Sequence, residues 1–124
     1  MNGFGIFFWK DGRTYRGEYK DDKKHNFGMY YGNESKRYEG YWEKGSQKNL
    51  GKYTKRDGSF KLGLWDENQL VSAITDDKEI AIKLSEIDEM IEEANSKVDI
   101  VMSNLKLLFN SFLPNIEFET LLEF

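Results

Sequence analysis

Tyr15-Arg16-Gly17-Glu18-Tyr19 returns 23 residues later as Tyr38-Glu39-Gly40-Tyr41-Trp42, and a weaker third copy, Lys61-Leu62-Gly63-Leu64-Trp65, comes at the same interval. Set in columns, Gly17, Gly40 and Gly63 coincide, as do Tyr19, Trp42 and Trp65, and so do Gly5, Gly28 and Gly51. Asp11, Glu34 and Asp57 add an acidic column. A fixed period of about 20 to 50 residues marks a stacked array whose units are each too small to bury a core alone.

Glycine in the middle of a strand costs backbone entropy and packs nothing, so a recurring one marks close approach of another group. Side chains alternate along a strand, so the aromatic residues two positions either side of Gly17 and Gly40 share the glycine's face. Rings can then lie over bare backbone, giving a thin sheet some apolar area to bury.

Outward from these runs the chain reads as short strands separated by turn signals. The strands expected are Gly3 to Trp9, Arg13 to Lys20, Phe27 to Gly32, Arg37 to Glu43, Leu50 to Lys55, a sixth starting near Ser59 and passing through Gly63 and Trp65, and Leu70 to Ile74. Polar turns fall at Lys10-Asp11-Gly12, from Asp21 to Asn26, around Gly45 and Ser46, and from Asp66 to Gln69. Such a chain makes an antiparallel meander about 30 Å across. Gly3 to Trp9 corresponds to the second strand of a hairpin whose first strand is missing. Its apolar outer edge invites pairing with another molecule, unless the sequence is the end of a longer array.

The two Tyr-x-Gly runs, the Asn26-Phe27-Gly28 and Asn49-Leu50-Gly51 segments, and the pairs Asp11-Gly12 and Asp57-Gly58 together resemble the MORN repeat. That family's unit is a Tyr-x-Gly-x-Trp strand, a glycine-containing turn and a Gly-x-Gly strand ending in Asp-Gly. The resemblance covers roughly residues 3 to 70, and this chain departs from it at Asn26, Asn49, Ser35 and Lys61. It implies a curved β-hairpin array acting as a binding or assembly module, common in axonemal, cortical and membrane-junction proteins. Phospholipid binding has been proposed for the family without being general to it.

The second half differs in kind. Ile80, Leu84, Ile87, Ile91, Ala94, Val98, Val101, Leu105, Leu108 and Phe112 are spaced alternately by four and three, a heptad seam of about five heptads. Thr75 or Asp76 can cap its start and Pro114 stops it, predicting a helix from about Asp77 to Leu113. The fold class is therefore α+β, with repeats over 3–74, a long helix over 76–113 and a tail over 114–124 whose alternating apolar and acidic residues suit a docking peptide. The seam needs cover, and Met90, Met102 and Phe109 widen it beyond a simple two-stranded contact. Three homes are open to it: helices of other chains, which the wide stripe favours, a second copy, or its own sheet.

The chain has 124 residues, 39% hydrophobic and 15% aromatic, with no cysteine and a net charge of -4. No stretch suits a membrane span or secretory leader, so a cytoplasmic protein is expected. Residues 1–75 carry 14 Lys and Arg against 10 Asp and Glu, while residues 76–124 carry 4 against 12. The two halves should attract, either packing together or facing different partners. The weak basic balance of the first lacks the dense cationic stripe that nucleic acid requires.

Catalytic chemistry finds little material. His25, the one histidine, sits in a polar turn, and without cysteine there is neither a Cys/His pair nor an ordinary zinc site. Neither Asp21-Asp22 nor Asp76-Asp77 opens a calcium loop, and the glycines lack the Gly-Lys-Ser/Thr of a phosphate loop. No catalytic residue, metal or cofactor is expected. Two binding readings remain. One is a scaffold subunit using Trp9, Tyr30, Tyr41, the Gly3 to Trp9 edge and the helix seam to join a cytoskeletal assembly such as a ciliary axoneme. The other is an adaptor holding anionic lipid with Lys20, Lys23, Lys24, Lys36 and Arg37.

Overall fold

A computed structural model describes residues 2–112. The 114–124 tail anticipated from the sequence lies outside the described residues, as do the side chains from Phe109 onward. Seven strands, β1 (Gly3–Phe8), β2 (Thr14–Lys20), β3 (Lys23–Tyr31), β4 (Arg37–Glu43), β5 (Ser46–Thr54), β6 (Phe60–Asp66) and β7 (Gln69–Ala73), form one antiparallel sheet in chain order. Helix α1 (Asp77–Phe112) comes after them. The meander and the single long helix are those expected, making the fold α+β.

Hairpin arms are longer than the sequence suggested, because the turns within each repeat are tighter. Asp21 and Asp22, Lys44 and Gly45, and Glu67 and Asn68 all have positive φ. Two successive left-handed residues match the right-handed twist of the flanking strands, so two residues close each hairpin. The polar run from Asp21 to Asn26 is thus a two-residue turn plus the start of β3. Between repeats, Asp11 accepts the Arg13 N–H at 3.2 Å and Asp57 accepts the Ser59 N–H at 2.9 Å. These acidic residues recur because they tie the same turn.

The two glycine columns become one line. Gly5 pairs with Gly17, Gly17 with Gly28, Gly28 with Gly40, Gly40 with Gly51, and Gly51 with Gly63, crossing six strands. Tyr15 stands against Gly17 and Gly28, and Tyr38 against Gly40 and Gly51, so closely that a methyl group at any of these glycines would collide with the ring or with facing backbone. Each phenol also has a partner. Tyr15 Oη donates to the Glu18 carbonyl at 3.1 Å and Tyr38 Oη to that of Tyr41 at 3.2 Å. One repeat on, the indole N–H of Trp42 donates to the Gly28 carbonyl at 3.2 Å and that of Trp65 to the Gly51 carbonyl at 2.9 Å. Large rings are thereby buried with their polar atoms satisfied, which burial requires.

The opposite face is covered from within the chain. Asp76 caps α1, its carboxylate accepting the Glu79 N–H at 3.0 Å. Ile80, Leu84, Ile87, Met90, Ile91 and Ala94 then pack on Phe4, Phe27, Met29, Tyr41, Leu50 and Leu62. This corrects the favoured expectation for the first half of the seam: its cover is the sheet, not the helices of other chains. The physical reason is a second apolar column, Phe4, Phe27 and Leu50, one residue before the Gly5, Gly28 and Gly51 column and therefore on the reverse face.

Candidate protein-interaction surfaces

One open surface is the aromatic face. Tyr15, Tyr38, Trp42 and Trp65 form its buried floor, with Trp9, Tyr19, Tyr30, Tyr53 and Leu70 packed against them. Successive rings meet edge to face: Tyr15 and Trp42 centroids lie 5.7 Å apart, Tyr38 and Trp42 5.1 Å, Tyr38 and Trp65 5.5 Å. Trp9 touches Tyr30 at 6.0 Å and Phe7 at 4.6 Å, carrying the band to the β1 edge. Burial pushes the phenols of Tyr15 and Tyr38 well above the ordinary tyrosine range.

The five cationic residues proposed for lipid do not form one rim. Lys20 and Lys23 flank the β2–β3 turn as a cross-strand pair. Lys36 and Arg37 lie at the other end of the strands, where Arg37 reaches Glu39 at 3.1 Å. Lys24 is drawn into the aromatic face, its ammonium 5.3 Å from the Trp42 ring centre and 5.4 Å from that of Tyr15, with Trp9 and Tyr30 within 5.9 Å. Burial, and then the charge of Arg13, lower its pKa. The rings hold Lys24 half-buried in the aromatic face, apart from exposed Lys20 and Lys23.

Tyr41, expected as an exposed contact, is half-buried under the helix, with its ring 5.6 Å from Phe27. Burial raises its pKa, helped by the charges of Glu86 and Glu93. Trp9 and Tyr30 stay at the rim of the open face, both half-buried.

The second open surface is the far part of α1. Along the seam Ile87 is 1% exposed, Ala94 6% and Val98 8%, whereas Leu105 is 43% and Leu108 58% exposed. The change comes where the helix reaches the edge of the sheet. Lys97 lies 5.9 Å from the Phe4 ring on β1 and 4.0 Å from the Glu18 carboxylate on β2. At about 1.5 Å per residue, Asp77 to Lys97 spans about 30 Å, close to the width of seven strands at about 4.8 Å spacing. The helix beyond Lys97 extends past β1. Uniform periodicity gives no means to divide the seam; the division comes from the width of the sheet.

Where the chain departs from the family unit, the backbone explains the substitute. Asn26 and Asn49, standing for glycine, have φ of 51° and 63°, and Ser35 has φ of 61°. Asparagine is among the side chains that enter this left-handed region at least cost. Lys61 leaves Gly63 without a tyrosine of its own, and the space above that glycine is taken by Leu70 and the β7 backbone.

No curated protein matches this chain. The sequence model of the MORN repeat matches residues 1–12, 15–35 and 38–60, each match within the register of the glycine line. MORN repeats commonly serve as scaffold modules that bind proteins or membranes. No described helix is long and apolar enough to cross a membrane. Over residues 1–60 the sheet that organises this molecule is an array of MORN repeats.

Proposed function

We propose that the protein is a non-catalytic scaffold subunit that joins other protein chains through the open face of its repeats and the far part of its helix, in a cytoskeletal assembly such as a ciliary axoneme. The observation that carries this reading is the unequal treatment of the two sheet faces. One is roofed by α1, and the other ends in a rim of half-buried Trp9, Tyr30 and Tyr53 over a fixed aromatic floor. Rigid aromatic side chains with polar tips supply contact area at low entropic cost, which is why they dominate protein interfaces. The dispersal of the five cations speaks for protein partners over a lipid surface.

The test is quantitative cross-linking in the source cell, comparing the native chain with a Trp9→Ala, Tyr53→Ala variant whose circular dichroism is unchanged. Loss of defined cytoskeletal neighbours from the variant supports the reading. An unchanged set of neighbours overturns it, as does salt-sensitive flotation of the purified chain with vesicles containing anionic lipid.

A further inference from the structure

Two exposed features lie at the same edge of the molecule. The outer side of β1 is paired with no described strand. Past that edge α1 runs on from Lys97 to Phe112, about 22 Å at 1.5 Å per residue, or the width of four to five strands. An occupant that completes both must offer a strand to β1 and, level with it, an apolar surface beneath the helix.

We propose that this occupant is a second copy of the chain, joined β1 to β1 about a two-fold axis perpendicular to the sheet, each copy laying its distal helix across the other's sheet. Such an axis makes the two β1 strands antiparallel and keeps both helices on one side. It also sets the Phe4 end of one β1 beside the Phe8 end of the other. The helix crosses its own β1 at Phe4, so it continues onto the partner copy near Ile6 and Phe8, and Phe8 is 47% exposed. From Phe4 to between Ile6 and Phe8 is about 7–13 Å at 3.3 Å per residue, which brackets the 8–10 Å separation of packed helices. Leu105 and Leu108 on the seam, 43% and 58% exposed, are then covered.

Charge fits the same arrangement. Antiparallel helices place the stretch from Ala94 onward, with two basic residues and one acidic, beside the other copy's Asp77 to Glu93, with seven acidic and two basic. A six-residue strand, the inward face of the helix from Lys97 to Phe112 and the sheet surface beneath the other copy's helix together approach the 20 to 30 residues a side of a stable interface. A head-to-tail join of β1 to the next copy's β7 fits less well, because the distal helix would run into the start of that copy's α1.

This goes beyond the scaffold reading, giving the far part of the helix to a second copy and leaving the aromatic face to other chains; it is tested on the purified full chain alone, so its failure leaves heterologous docking through the helix standing. Sedimentation equilibrium from about 1 to 200 μM is expected to show a dimer and nothing larger. A Leu105→Glu, Leu108→Glu variant, changed only at exposed positions, should keep its circular dichroism and weaken dimerisation at least about 100-fold. In hydrogen exchange the β1 amides should be slower in the native chain than in the variant. A monomer throughout, a dimer indifferent to the variant, mass growing beyond two copies, or β1 amides unaffected by dimerisation would each overturn the proposal.

Discussion

The two faces of the sheet are held by different means. On one, the repeats seal themselves: Tyr15 and Tyr38 each stand over two glycines, and Trp42 and Trp65 each bond a glycine carbonyl fourteen residues back. On the other, Phe4, Phe27 and Leu50 provide apolar area but no closure, and a single distant element, α1, covers them all. The difference separates a local, repeated source of stability from a shared one. Damage to the first should be felt in one repeat; damage to the second should be felt across the sheet.

The largest effect is expected within the aromatic seal. Gly51→Ala places a methyl group against the Tyr38 ring, where it has no room, and should cost about 3 kcal/mol or more. Gly58→Ala is the control: its φ is 88° but the space around it is open, so only the backbone cost of about 1 kcal/mol remains. Urea denaturation of both variants measures the difference. Equal losses would mean that the glycine line serves backbone conformation and not ring packing.

On the roofed face, Ile87→Ala should cost about 3 kcal/mol, since the side chain is 1% exposed between sheet and helix. Leu108→Ala, by the same measurement on monomer, should change stability by less than about 0.5 kcal/mol. If the two were equal, the distal helix would be folded against the sheet as well.

The phenols sharpen the contrast through pH. Tyr15 and Tyr38 have folded-state pKa values raised above the unfolded value. Above the unfolded tyrosine pKa of about 10 the unfolded chain releases protons that the folded one retains, so stability present below that pH is lost as pH rises. Chemical denaturation from pH 8 upward should show that loss beginning near pH 10, and Tyr38→Phe should lessen it while costing about 1 kcal/mol at neutral pH through the lost hydrogen bond. The smallest effect is expected for Lys24→Gln. Ring attraction and burial oppose one another there, and Gln47 fills the equivalent place one repeat on, so the change should stay within about 1 kcal/mol.

Much of this was legible from residues alone. The 23-residue period placed the strands, and the spacing of Tyr15, Gly17 and Tyr19 placed rings over glycine, because strand alternation leaves few other outcomes. The helix start was readable from Asp76. What covers the helix was not, although the Phe4, Phe27 and Leu50 column carried the signal: three apolar residues at the repeat interval on the face away from the glycines require a roof. The dispersal of the cations was hidden for another reason. Lys20, Lys23 and Lys24 are neighbours in sequence, but a two-residue turn and strand alternation send Lys24 into the aromatic face.

The stacking of ring on glycine is tested most directly by proton chemical shifts. Gly28 and Gly51 lie against the Tyr15 and Tyr38 rings, and Gly63 has no such ring. The α-proton resonances of Gly28 and Gly51 should be displaced by ring currents, lose that displacement in Tyr15→Leu and Tyr38→Leu respectively, and differ from Gly63 in the native chain. Resonances for all three at the positions of exposed Gly58, unmoved by either substitution, would contradict the account.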